Sequence, residues 1–194
     1  MTTFSDLGLS DLTIQALSRK GFEEPTPIQT KTIPAVLAGE SDIVAQAQTG
    51  TGKTAAFGLP LLEMLDQGAR CVQALILAPT RELAIQVAEE INSLRGSRTV
   101  SVAPIYGGQS MEIQLRSLRK GVSVVVGTPG RVLDHLRRGT LDLSAIRFLI
   151  LDEADEMLNM GFLEDVQEIM EQTPQDKRTM LFSATMPPEI LRIA

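Results

Sequence analysis

Apolar, β-branched runs recur along the chain, and each is followed by a stretch of helical period. Strands are predicted at Asp42–Ala45, Val72–Ala78, Thr99–Ala103, Val122–Val126, Arg147–Leu151 and Thr179–Phe182. Helices are predicted near 53–66, 81–95, 110–120, 130–138, 162–172 and 187–193, with two earlier ones near 10–20 and 28–38 that read as an N-terminal addition. Strand, helix, strand repeated in this way needs crossovers, and right-handed crossovers give a parallel sheet covered on both faces. Ala74-Leu-Ile-Leu-Ala and Val122-Ser-Val-Val-Val lack clean alternation, as expected of strands buried on both sides. The predicted fold is a doubly wound, mostly parallel α/β domain. In such a sheet, ligands gather at the carboxyl ends of the strands, so chemistry belongs just after each strand.

After the first strand comes Ala47-Gln-Thr-Gly-Thr-Gly-Lys-Thr54. A phosphate loop reads G-x-x-x-x-G-K-[ST], and Ala47 departs from its first position. The physics survives that change. Gly50 and Gly52 let backbone N–H groups turn inward, and the following helix start adds partial positive charge. Lys53 can reach β- and γ-phosphate oxygens, and the Thr54 hydroxyl can ligate Mg²⁺. Arg147-Phe-Leu-Ile-Leu then runs into Asp152-Glu153-Ala154-Asp155. Asp152 is placed to hold Mg²⁺, directly or through water, and Glu153 to orient or deprotonate an attacking water. Read alone, the acidic cluster could equally be first-turn acids of a helix, a role open to Asp155 and Glu156.

Composition narrows the class. The chain has 194 residues, 43% hydrophobic and 22% charged, enough for a real core. No N-terminal signal pattern is visible, and no apolar run approaches the ~20 residues that span a bilayer, so neither secretion nor membrane insertion is expected. The one cysteine, Cys71, excludes an internal disulfide and fits a reducing cytoplasm; beside a Val-rich run it reads as a small core residue. The net charge of −6 argues against a simple polycation. Yet residues 95–147 carry 9 basic against 3 acidic groups. That positive middle third is either a phosphate footprint or the solvated helix faces at Arg116–Lys120 and Arg137–Arg138. His135, the only histidine, lies in an arginine-rich stretch without a partner cluster and reads as a surface residue.

Upstream lies Gly21-Phe-Glu-Glu-Pro-Thr-Pro-Ile-Gln29. The Gln29 amide can pair with adenine N6 and N7, a match guanine cannot make, worth ~1–3 kcal/mol of discrimination. Without context such a glutamine is an exposed early-helix residue. With Ala78-Pro-Thr-Arg-Glu-Leu-Ala84, Tyr106-Gly107-Gly108, Thr128-Pro-Gly-Arg131, Asp152–Asp155 and Ser183-Ala-Thr185, these motifs in this order resemble the DEAD-box RNA helicases over nearly the whole chain. The resemblance implies a RecA-like phosphate-loop domain with ATP and Mg²⁺ as cofactors. It implies that Gln29 and Thr26 recognise adenine, that Phe4 packs against the base, and that Thr49, Gly50, Thr51, Gly52, Lys53 and Thr54 hold the phosphates. Asp152 and Thr54 would hold Mg²⁺, partly through water, Glu153 would activate the water, and Asp155 would contact Ser183 and Thr185 to link hydrolysis to closure on RNA. Read alone, Ser183 and Thr185 are hydroxyls capping the helix after Pro187. RNA would meet Pro79, Thr80 and Arg81, then Gly107, Gly108 and Gln109, then Thr128, Pro129, Gly130 and Arg131.

Each RNA set falls at a strand-to-helix junction, where N–H groups and helix starts bind phosphate oxygens without a large basic patch. With no Trp and one Tyr, no stacking platform is apparent, so backbone recognition with little sequence preference is expected. A complete member of the family has a second RecA-like domain with an arginine-rich motif at the γ-phosphate, and no such segment occurs here. The chain, 1–194, is therefore expected to be the N-terminal domain, 1–38 an extension and 39–194 the phosphate-loop core. Missing arginine fingers are worth ~10³–10⁵ in rate, so it is expected to bind adenine nucleotide, hydrolyse it negligibly and unwind nothing alone. The rivals are a DNA translocase, a small-molecule phosphoryl transferase, for which no acceptor pocket or lid is visible, and a non-catalytic ATP-gated RNA clamp.

Overall fold

The computed structural model describes residues 2–39 and 41–193; Met1, Glu40 and Ala194, inside the expected span, lie outside the described residues. Strands β1 (Ile43–Gln46), β2 (Ala74–Leu77), β3 (Val102–Ile105), β4 (Val124–Gly127), β5 (Phe148–Asp152) and β6 (Arg178–Ser183) form one sheet in the order β1-β6-β5-β2-β4-β3. Every neighbouring pair is parallel. A short 3₁₀ turn (Phe4–Leu7) leads into helices α1 (Asp11–Arg19) and α2 (Pro27–Ala38). Then come α3 (Lys53–Met64), α4 (Arg81–Leu94), α5 (Met111–Arg119), α6 (Pro129–Arg137), α7 (Ala154–Asn159), α8 (Leu163–Glu171) and α9 (Pro188–Leu191). The fold is the doubly wound α/β architecture expected from the sequence.

The register explains why the central strands show no alternation. Leu75 lies between Val125 and Leu149, and Ile76 between Val126 and Ile150. Ile76, Val126 and Ile150 pack on one face with Phe57, Ile91 and Phe182. Leu75, Leu77 and Leu149 pack on the other with Val132, Val166 and Ile169. Consecutive residues thus serve different cores, so both faces of these strands take apolar side chains. Pro104 occupies edge strand β3, where a missing N–H costs least.

Several local expectations change. The third strand begins at Val102, not Thr99, because Arg95 Nη1 donates to Val100 O at 2.6 Å and Thr99 Oγ1 to Gln67 O at 3.2 Å. Those bonds hold the segment as a turn after α4. The N-terminal helices are not an addition to a finished core: Leu17, Ile33 and Val36 belong to the same apolar cluster as Phe57 and Phe182. Glu63 on α3 ties α1 to it. Its carboxylate accepts from Ser10 N at 3.0 Å and from the Thr13 hydroxyl, and pairs with buried Arg98 at 3.0 Å. Burial pushes Glu63 up, but the hydrogen bonds from Thr13 and Ser10, with Arg98, outweigh it and hold the carboxyl below its ordinary value. Helix α7, read from the sequence only as first-turn acids, follows β5 directly.

Two single-residue readings are corrected. Cys71 is exposed, because it sits in the loop before β2, outside the strand that reaches the core. His135 is fully buried rather than at the surface. It shares the inner face of α6 with Val132, three residues earlier.

Candidate functional site

The sheet order sorts the motifs into two groups. The loops after β1, β6 and β5, neighbours in the sheet, carry Ala47–Thr54, Ser183–Thr185 and Asp152–Asp155. The loops after β2, β4 and β3, also neighbours, carry Pro79–Arg81, Thr128–Arg131 and Gly107–Gln109. One edge of the sheet therefore presents two adjoining sites.

In the first, Gly50 and Gly52 take φ values of 81° and 88°, left-handed conformations that suit glycine and turn the loop into the start of α3. Lys53, the first residue of α3, is buried with only 6% exposure. Its Nζ lies 3.4 Å from Asp152 Oδ1 and 3.6 Å from Glu153 Oε1. Among the described residues neither Lys53 Nζ nor Asp152 Oδ1 has a hydrogen-bond partner, although both are shielded from solvent. A buried ammonium and carboxylate with unfilled bonding capacity are costly unless a polar ligand completes them. Phosphate oxygens and a divalent cation fit that need: the one takes donors, the other oxygen ligands. Burial, opposed by Lys53 and reinforced by Glu153, pushes the Asp152 carboxyl above its ordinary range.

Glu153 begins α7 with φ of 52°, the one non-glycine with positive φ among the described residues. Such a conformation costs of order 1–3 kcal/mol and collects at functional sites. Thr49 Oγ1 donates to Glu153 Oε1 at 2.8 Å, so the glycine loop and the acidic tetrad touch directly. Next to them, the Asp155 carboxylate accepts from Thr185 N at 2.9 Å and Thr185 Oγ1 at 2.8 Å, and Asp155 N–H donates to Ser183 Oγ at 3.1 Å. Burial raises Asp155, but the bonds involving Ser183 and Thr185 prevail and hold it below the usual carboxylate value. Ser183 and Thr185 bond to Asp155 and not to α9.

A cavity of about 270 Å³ runs from Phe22 and Gln29 past Gly50, Gly52, Lys53 and Thr54 to Asp152 and Glu153. Gln29 is 1% exposed. Its Oε1 accepts from Thr26 N–H at 2.9 Å and its Nε2 donates to Gly52 O at 3.2 Å. An early-helix surface glutamine is thereby excluded: the amide ties the start of α2 to the glycine loop, and each amide atom keeps one further bonding direction. A Cβ on Gly52 would stand 2.5 Å from Gln29 Nε2, so only glycine permits the approach.

Two expected residues sit elsewhere. Phe4 is buried and meets the Phe22 ring edge-on at 6.1 Å; Phe22, not Phe4, lines the cavity. Thr51 turns away, donating to Gln48 O at 2.7 Å. Thr26 stays beside the glycine loop: a Cβ on Gly52 would stand 3.2 Å from its Oγ1. Sequence reasoning passes over Phe22 because the isolated upstream aromatic takes the base-packing role, although Phe22 stands inside the Gly21–Gln29 segment itself.

In the second site, Thr80 caps α4 by accepting from Leu83 N–H at 3.2 Å. Arg81 lies over the Tyr106 ring at 5.2 Å, next to exposed Gly107 and Gly108. Arg131 Nη1 donates to Gln109 O at 2.9 Å, joining the third loop to the second. Pro79 and Pro129 are buried, so they shape these turns from behind and leave the contact surface to their neighbours. The positive middle third divides. Arg131 stands at the loops, whereas Arg119 ends α5, eight residues and about 12 Å along the helix axis from its loop end.

The DEAD/DEAH box helicase family profile matches residues 26–193. Over all 194 residues the chain is 57% identical to the DEAD-box ATP-dependent RNA helicase CshA of Geobacillus kaustophilus, of which it covers 41%. It is 56% identical over 193 residues to the ATP-dependent RNA helicase CshA of Listeria monocytogenes, covering 37% of it. The crystal structure of a DEAD box protein from Methanococcus jannaschii superposes on the whole chain with a TM-score of 0.96 and 54% identity. The chain covers 53% of that structure. It spans about two fifths of the length of these curated relatives.

Proposed function

The chain belongs to the DEAD/DEAH box helicase family, and from that premise we propose that it forms the ATP-binding domain, and one half of the RNA-binding surface, of a cytoplasmic ATP-dependent RNA helicase. The observation that carries this reading is the unfilled pair of Lys53 Nζ and Asp152 Oδ1, 3.4 Å apart at the mouth of a glycine loop. Lys53 is placed to donate to β- and γ-phosphate oxygens, with the N–H groups beyond Gly50 and Gly52 beside it. Thr54 and Asp152 would hold Mg²⁺, Asp152 partly through water; bound there, the ion supplies charge neutralisation on the transferring phosphoryl group. Glu153 orients a water and takes its proton, and Thr49 fixes the carboxylate's direction. Gln29 reads the adenine edge, with Phe22 offering a ring to the base.

Asp155, Ser183 and Thr185 form the link through which the state of the acidic tetrad reaches the last strand. RNA phosphates are met by the start of α4 and Arg81, by Gly107, Gly108 and Gln109, and by Thr128, Gly130 and Arg131. A second RecA-like domain, consistent with relatives more than twice as long, would complete both sites. Unwinding and fast hydrolysis belong to that assembly. Competition between ATP and GTP for a fluorescent ADP analogue tests the nucleotide reading. Adenine nucleotide is expected to win by about tenfold or more, from the Gln29 pairing. Equal competition would remove the base-recognition role of Gln29.

A further inference from the structure

Helix α5 is seated on a single buried residue, and that residue is polar: Gln114, 1% exposed. Its bonds join two of the three phosphate-facing loops directly, and the third is reached through the Tyr106 ring under Arg81. Nε2 donates to Tyr106 O at 2.8 Å. Oε1 accepts from Arg131 Nη1 at 3.2 Å and stands 3.0 Å from His135 Nε2. The orientation of the amide is not ambiguous. A backbone carbonyl only accepts and a guanidinium only donates, so the two neighbours fix the same assignment independently. His135 Nε2 must therefore carry the proton, and its Nδ1 meets Thr140 Oγ1 at 2.8 Å.

We infer that Gln114, braced by His135, is a positioning residue for RNA binding: it holds Arg81 and Arg131 at one fixed spacing beneath the phosphate backbone. The inference rests on the RNA reading of this surface. One arm runs through Tyr106, whose ring underlies Arg81 and whose hydroxyl accepts from Gln109 Nε2 at 3.3 Å. The other arm is the direct bond to Arg131, whose Nη1 is shared between Gln114 and Gln109 O. Among the described residues Arg131 Nη2 has no hydrogen-bond partner, so that edge of the guanidinium stays available for a phosphate. Neither Gln114 nor His135 reaches the surface; both act through the arginines. Burying an amide and an imidazole where aliphatic side chains would pack more cheaply makes sense when each bond sets a geometry.

The test is fluorescence anisotropy with a ten-residue oligouridylate, titrated between 50 and 200 mM salt, on this chain and its Gln114→Leu variant. ADP affinity and a thermal melt are followed in parallel. Gln114→Leu is expected to weaken RNA binding by roughly tenfold and to flatten the log–log salt slope by about 0.7 for each phosphate no longer neutralised. ADP affinity is expected to hold within about twofold. Gln114→Glu keeps the acceptor facing Arg131 and His135 but cannot donate to Tyr106 O, so it is expected to restore only the Arg131 arm and to bind RNA between the parent and Gln114→Leu. Should the leucine variant not fold, His135→Asn, which falls short of Gln114, carries the comparison with the same direction of change. An unchanged RNA affinity and slope would overturn the inference, as would RNA and ADP affinities that fall together. If the unaltered chain binds no oligouridylate at 50 mM salt, the RNA reading itself fails and takes this inference with it.

Discussion

Replacing Lys53 with alanine is expected to weaken adenine-nucleotide binding by about a hundredfold or more while leaving the chain folded. Hydrogen bonds to charged groups are worth ~1.5–3 kcal/mol each, and a lysine between two phosphates makes more than one. The same substitution has a pH signature. The Asp152 carboxyl is already raised by burial, opposed by Lys53 and reinforced by Glu153. A carboxyl raised on folding stabilises the native state below its unfolded value and loses that contribution as pH rises through the folded value. Without Lys53 the folded value climbs further, so the variant's melting temperature is expected to fall progressively behind as pH is raised from about 4 towards neutrality. A fluorescent ADP titration and melts across that range check both parts. Retained ADP binding would refute the phosphate role, and loss of the fold at every pH would show Lys53 to be chiefly structural.

Glu153→Gln is expected to lower RNA-stimulated ATP hydrolysis by ~10²–10⁴-fold in the protein carrying both domains, with nucleotide affinity changed by no more than about threefold. The amide oxygen still accepts from Thr49 Oγ1, and shape and backbone preference are nearly kept, so the local arrangement survives. What is removed is the capacity to take a proton, together with one negative charge 3.6 Å from Lys53 Nζ. The strained φ of 52° sharpens the argument, because a residue serving merely to start α7 would relax to an ordinary cap conformation. Steady-state phosphate release checks this, and activity within tenfold of the parent would assign proton transfer to another group.

The layered sheet was legible because its physics is local. Runs such as Ala74-Leu-Ile-Leu and Val124-Val-Val fill both faces, and Gly50, Gly52 and Lys53 stand where a parallel sheet collects ligands. The meeting of Lys53 with Asp152 was likewise foreseeable, since both follow strands at one end of the sheet. What escaped depended on partners distant in the chain. His135 reads as a solvated residue among arginines until Gln114 and Thr140 supply both of its bonds. Cys71 resembles its apolar neighbours, yet the strand starts three residues later. Phe4 and Phe22 carry the same chemistry, and only packing decides which ring faces the cavity. Gln114 gave no signal of its own, although a lone polar residue at the one buried position of α5 would have betrayed it once the helix face was known.

If Lys53 and Asp152 serve one metal-bound nucleotide from opposite sides, loss of the Asp152 carboxylate must abolish the effect of Mg²⁺ on nucleotide binding. Isothermal titration of ADP into the chain and into Asp152→Asn, each with and without Mg²⁺, measures that effect. Mg²⁺ is expected to tighten binding to the parent chain by about tenfold or more, and this gain is expected to disappear in the variant. An equal Mg²⁺ effect in both would place the ion elsewhere and remove Asp152 from the nucleotide site.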